Sequence, residues 1–137
     1  MATESAIRLE GIADPLLVDR VHDALDRLFE RAPGAGDEDR MLFRLAVSEV
    51  ATNVVEHALA REPIHVTVEV DAAPGAFSAV FTDTADPALI DLGAVEMPGE
   101  DAESGRGLAI ALAALDELVH ERNGGNTWRL LRRFRGE

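Results

Sequence analysis

The sequence predicts an α+β domain built as a two-layer sandwich, in which a mixed, mostly antiparallel sheet is covered on one face by three helices. Three observations predict it. Apolar and polar residues alternate on both sides of a Pro-Gly turn, and a second such pair flanks Asn-Gly-Gly near the end of the chain, so two antiparallel hairpins are expected. Three other stretches repeat their apolar residues at helical spacing. The order is β, α, α, β, β, a long connection, α, β, β; helices do not alternate with strands one for one, and a doubly wound parallel sheet is not expected.

Residues 4–12, ESAIRLEGI, alternate loosely and read as the first strand. Asp14 before Pro15 is a helix start, followed by Leu16, Leu17, Val21, Leu25 and Leu28 at helical spacing to about Arg31. APGAGDED breaks the pattern. The acids Asp37, Glu38 and Asp39 suit the positive end of a helix dipole, so a long second helix begins there and runs towards Ala60. Its apolar stripe is Phe43, Val47, Val50, Val54 and Ala58.

After Pro63 the period becomes two, with Ile64, Val66, Val68 and Val70 alternating with His65, Thr67 and Glu69. The turn DAAPG leads into AFSAVFTDT, the partner strand, and His65 reads as an exposed strand residue rather than a ligand. From Ala85 to Ser104 no period survives, and a connection this long inside a compact domain is characteristic of a lid or binding loop. Leu108, Ile110, Ala111, Leu112, Leu115 and Leu118 give a third helix, and LVHER, NGG and NTWRLLRRF a closing hairpin.

With 137 residues the chain is long enough for one domain with its own core. It has no cysteine, which excludes disulfides, thiolate metal sites and a cysteine nucleophile. The start MATESAIRLEG lacks the basic and apolar regions of a leader, and no apolar run reaches about 18 residues, so no membrane contact and a cytoplasmic location are expected. A net charge of −13 argues against direct nucleic-acid binding. The one basic concentration, Arg129, Arg132, Arg133 and Arg135, is expected to project into solvent or pair with acidic surface.

The chemistry concentrates in three places. On the second helix Glu49 and Asn53 are four residues apart and lie one above the other, roughly opposite the apolar stripe, with Thr52 and Glu56 beside them. A carboxylate and an amide so placed can hold a hydroxyl and a metal side by side. The same pattern also occurs on plain solvated helix faces, but Leu42, Leu45 and Ala46 on this side are expected to wall a depression. Asp83 ends an otherwise apolar strand, where it can accept from an exocyclic amine such as that of adenine or serve as a turn residue. Ser104-Gly105-Arg106-Gly107-Leu108 runs into a helix, so backbone N–H groups and Arg106 can meet an anion there.

Taken together, SEVATNVVEHA at Ser48 to Ala58, Asp83, SGRGL and Asn126-Thr127 resemble, in that order, the Bergerat ATP-binding fold of gyrase-type ATPases and histidine kinases. More narrowly, the chain resembles the stand-alone anti-sigma factor serine/threonine kinases. The resemblance covers nearly the whole chain. It implies ATP and Mg²⁺ as cofactors, Glu49 as catalytic base, Asn53 as metal ligand, and nucleotide contacts from Asn53, His57, Asp83, Ala85, Gly105, Arg106, Gly107, Leu108 and Thr127, with residues 86–104 as the lid. It further implies a sigma factor and an anti-sigma factor antagonist of the STAS type as partners, and a homodimer. One departure stands out: where the family carries a D-x-G-x-G box this chain reads Asp83-Thr84-Ala85-Asp86-Pro87, with both glycines missing. That departure motivates a second reading, a catalytically inactive or weak nucleotide-binding module acting only through protein–protein binding.

Overall fold

The computed structural model describes residues 6–58, 64–84, 106–122 and 125–134; of His57, Ala58 and Arg106 it describes the backbone. The elements run β1 (Ile7–Ile12), α1 (Pro15–Glu30), α2 (Asp37–Ala58), β2 (His65–Ala73), β3 (Ala76–Asp83), α3 (Arg106–Ala114), β4 (Glu117–Arg122) and β5 (Asn126–Arg133). The sheet order is β1-β2-β3-β5-β4. The four strand pairings among the described residues are all antiparallel, where a mixed, mostly antiparallel sheet was expected. The reason is geometric: each element reverses the direction of the one before it, and every pair of sheet neighbours is separated by an odd number of reversals. One end of the sandwich therefore collects the end of α2, the start of β2, the end of β3, the start of α3 and the β4–β5 turn.

Local chemistry fixes the element ends. Asp14 caps α1 by accepting from the Leu16 N–H at 3.1 Å, and Pro15 occupies the first turn, where its missing donor costs nothing. The β2–β3 hairpin turns on Pro74 and Gly75, tighter than the five-residue turn expected, because Gly75 takes φ 87°. Leu118, counted among the apolar residues of the third helix and also as the first residue of the strand LVHER, belongs to β4 opposite Leu130. Helix α3 stops at Ala114 because Asp116 already joins β5: its N–H donates to the Leu131 carbonyl at 2.8 Å, and its carboxylate accepts from the Arg133 N–H at 2.6 Å.

The core lies between the helices and one face of the sheet. Val66, Val68, Val70, Phe77, Phe81, Trp128 and Leu130 meet Leu17, Val21, Leu25 and Leu28 of α1 and Phe43, Val47, Val50 and Val54 of α2. Phe77 sits at its centre, with ring centroids of Phe29, Phe43 and Phe134 at 5.1, 5.1 and 4.6 Å. Each such side chain contributes about 1.5–3 kcal/mol by leaving water. Leu16, expected in the stripe, is 66% exposed, because one residue before Leu17 is a turn of 100° away from the buried face. Leu45 is exposed for the same reason, while Leu42 and Ala46 turn inward, so only part of the expected wall on α2 exists.

The far end of the sandwich is closed by a buried ion pair. Arg132 donates to Asp39 Oδ1 from Nε at 3.0 Å and Nη2 at 2.9 Å, and to the Ala114 carbonyl from Nη1 at 2.8 Å. The expectation that the basic residues project into solvent or pair with acidic surface fails for Arg132 alone among the described ones, because strand alternation puts it on the core face with Trp128 and Leu130. Arg129 and Arg133, of opposite parity, pair at the surface with Glu121 and Glu117. Among the described residues no helix is long and apolar enough to cross a membrane.

Candidate functional site

Glu49 and Asn53 occupy the outward side of α2, both half-buried, while Thr52 and Glu56 beside them are exposed. Glu49 does not lie loose on the surface. Its carboxylate rests against the first turn of α3, so closely that a Cβ on Gly107 would stand 2.5 Å from Glu49 Oε1. The missing side chain at Gly107 leaves room for this carboxylate, which a Cβ would push aside, and the approach places an anionic group at the positive end of a helix. One turn further along, Asn53 Nδ2 is buried without a hydrogen-bond partner. Such an atom is costly unless something else satisfies it.

The α1–α2 contact positions this face from behind. Ser48 donates to the Arg44 carbonyl at 2.7 Å, so its oxygen accepts from His22 Nε2–H at 3.0 Å, and His22 Nδ1 accepts from Arg44 Nη1 at 3.1 Å. Arg44 also pairs with Asp26 and lies over the Phe29 ring at 5.3 Å. The sequence reading missed His22, since its partners lie 22 and 26 residues away.

Asp83 ends β3 on the core face and is buried, paired in register with Asn126 of β5. Asn126 Nδ2 donates to Asp83 Oδ1 at 3.0 Å, and His120 Nε2 lies 2.8 Å from Asn126 Oδ1. Gly125 comes so near that a Cβ there would meet the Asp83 carbonyl oxygen at 2.2 Å. Thr127, expected beside Asp83, is not there. It pairs with Thr82 and shares the parity of Arg129 and Leu131, which puts its side chain on the helix-free face of the sheet. Asn126 takes the place assigned to it, and the alternation through Trp128 and Leu130 carried that signal.

Of the other expected contacts, Leu108 is buried in the core at 7% exposure, so only its backbone is left to face a ligand. Arg106 and His57 are described by backbone alone, at the first residue of α3 and next to last in α2. Ala85, Gly105 and the proposed lid at 86–104 lie outside the described residues.

The arrangement can be set beside known proteins. The sequence profile of the histidine kinase-like ATPase domain matches residues 12–132. The chain belongs to that family. Among solved structures the fold is similar to the histidine kinase domain from the Erythrobacter litoralis EL346 blue-light activated histidine kinase, with a TM-score of 0.55 and 19% identity over 87% of this chain. The chain spans 60% of the length of that structure. No curated protein matches it in sequence.

For a histidine kinase-like ATPase domain the residues present fit a metal-bound nucleotide. Asn53, whose Nδ2 is buried without a partner, could present an oxygen or a donor according to its rotation, the buried Asp83 carboxylate could accept, and the amino end of α3 would face an anion. Gly107→Ala tests the cradle. The added methyl displaces the Glu49 carboxylate while raising helix propensity, by about 1 kcal/mol at most. Thermal melting is expected to show no loss of stability, while turnover with ATP falls at least about tenfold, one power of ten for every 1.4 kcal/mol lost in positioning.

Proposed function

We propose that this domain is a Mg·ATP-dependent serine/threonine protein kinase of the anti-sigma factor type, acting in the cytoplasm, which binds a sigma factor and phosphorylates an anti-sigma factor antagonist. The observation that carries this reading is the Glu49 carboxylate held over Gly107 at the amino end of α3, one helical turn from the unpartnered, buried Asn53 Nδ2. Glu49 takes the proton of an incoming serine hydroxyl and aligns it. Asn53 would hold the metal, as suits a cation that accepts few protein ligands. Bound Mg·ATP supplies the transferable phosphoryl group and the charge that neutralises its transfer. Asp83 accepts from the base, and the α3 amides receive phosphate oxygens.

A second reading is favoured by one feature, the missing glycines after Asp83. Thr84 continues the sheet there, donating its N–H to the His65 carbonyl at 3.2 Å and accepting from the His65 N–H at Oγ1, also at 3.2 Å. On this reading a domain without those glycines acts as a binding module without transfer. Incubation with labelled Mg·ATP and an antagonist protein separates the two. The kinase reading predicts label on one serine of the antagonist, abolished when that serine is replaced by alanine; stable complex formation without any label supports the binding module instead.

A further inference from the structure

The outer ridge of α2 carries apolar side chains that its packing does not use. Met41 and Leu45 are 61% and 38% exposed, while their neighbours Leu42, Phe43, Ala46 and Val47 take the inward positions. Glu49 follows Leu45 by one helical turn and Met41 by two, so the pair stands about 6 and 12 Å behind it along the helix axis. Exposed leucines scattered singly are ordinary on a protein surface, but two in line that end at a candidate base give that surface a direction.

Helix α1 runs antiparallel alongside, since His22 meets Ser48 at 3.0 Å and Asp26 meets Arg44. Its exposed acids Asp19, Asp23, Asp26 and Glu30 are spaced to share one face, a stripe that flanks the ridge over most of its length. Asp26 pairs with Arg44, whereas Asp19, Asp23 and Glu30 make no ion pair among the described residues. Arg20 of the same helix reaches instead to β1, where it donates to the Glu10 carbonyl at 2.9 Å. The surface leading to Glu49 is therefore apolar along its crest and anionic on one flank.

We propose that this crest and flank are the docking surface for the protein that carries the accepting serine, and that this partner presents apolar side chains with lysine or arginine beside them. Resting on the kinase reading above, such docking brings the serine up to Glu49 and selects the substrate. Apolar groups desolvated at the centre of a contact carry much of its affinity, while the acids draw in a cationic face at longer range. A second copy of this chain does not fit. Pairing through this face would bring together the acidic stripes of two chains, each of net charge −13.

The test is calorimetry of the full chain with Mg·ATP and the antagonist protein at low and high salt, alongside steady-state transfer. Replacing Met41 and Leu45 together by Gln keeps helix propensity and removes the crest, so thermal melting should match the parent. Antagonist binding is expected to weaken at least about tenfold, and KM for the antagonist to rise by a similar factor, with kcat within about twofold. Leu45→Met, which stays apolar, is expected to keep the affinity within about threefold. Asp23→Asn combined with Glu30→Gln should flatten the loss of affinity that added salt causes in the parent. Antagonist affinity unchanged in the Gln double variant, or a fall in kcat at constant KM, overturns the docking surface and leaves the kinase reading standing. Light scattering that shows a dimer in the parent and a monomer in that variant identifies a second copy as the occupant and overturns it as well. A parent that neither binds nor labels the antagonist removes both.

Discussion

Glu49→Gln is expected to slow phosphoryl transfer by about 10²–10⁴, the usual worth of a positioned general base. The substitution keeps the shape of the side chain and its reach to Gly107 but abolishes its capacity to take a proton. Asn53, Asp83 and the first turn of α3 are untouched, so ATP affinity changes little. A single-turnover rate at saturating Mg·ATP therefore separates the base role from a binding role. An unchanged rate would take Glu49 out of proton transfer, whereas loss of affinity at constant rate would make it a binding residue. Gly107→Ala is the complementary experiment, since it moves the same carboxylate without changing its chemistry.

The second large effect is structural. Replacing Asp39 by Ala leaves the Arg132 guanidinium buried beside the Ala114 carbonyl without its counter-charge. Breaking a buried pair by removing one partner costs roughly 3–5 kcal/mol. That is a large part of the stability of a domain this size, and urea midpoints of Asp39→Ala and Arg132→Met should both fall well below that of the parent. The pair ties α2, α3 and β5 together at the end opposite the site. Combining Arg132→Met with Asp39→Leu should recover much of the loss, because apolar groups of similar volume can replace a buried pair. A double variant no more stable than either single one would mean that the geometry of the pair, and not its charge balance, holds this end together.

Much of the fold was legible because its signals are local. The period-two pattern of β2 and β3 and the Asp14-Pro15 start announce themselves within a few residues. Leu118 stayed ambiguous between helix and strand because an apolar residue after a helix fits either period, and only the pairing of Asp116 with β5 decides between them. Arg132 misled by its charge: its strand parity pointed inward, but its partner Asp39 lies 93 residues away. The site divides in the same way. Glu49 and Asn53 are one turn apart on a single helix, and their shared face could be drawn from spacing. The contact of Glu49 with Gly107, the pairing of Asp83 with Asn126, and the bond from His120 arise only when distant segments meet. Thr127 was displaced from the site by a single step of alternation.

The central claim is that the outward face of α2 and the Asp83 end of the sheet together hold a metal-bound nucleotide. Titrating ATP into the protein with Mg²⁺ and again with a chelator, for the parent and for Asn53→Ala, tests it most directly. The account predicts binding that tightens with Mg²⁺ in the parent and loses that dependence in Asn53→Ala. Absence of binding at millimolar ATP, or an identical Mg²⁺ dependence in both proteins, would contradict it.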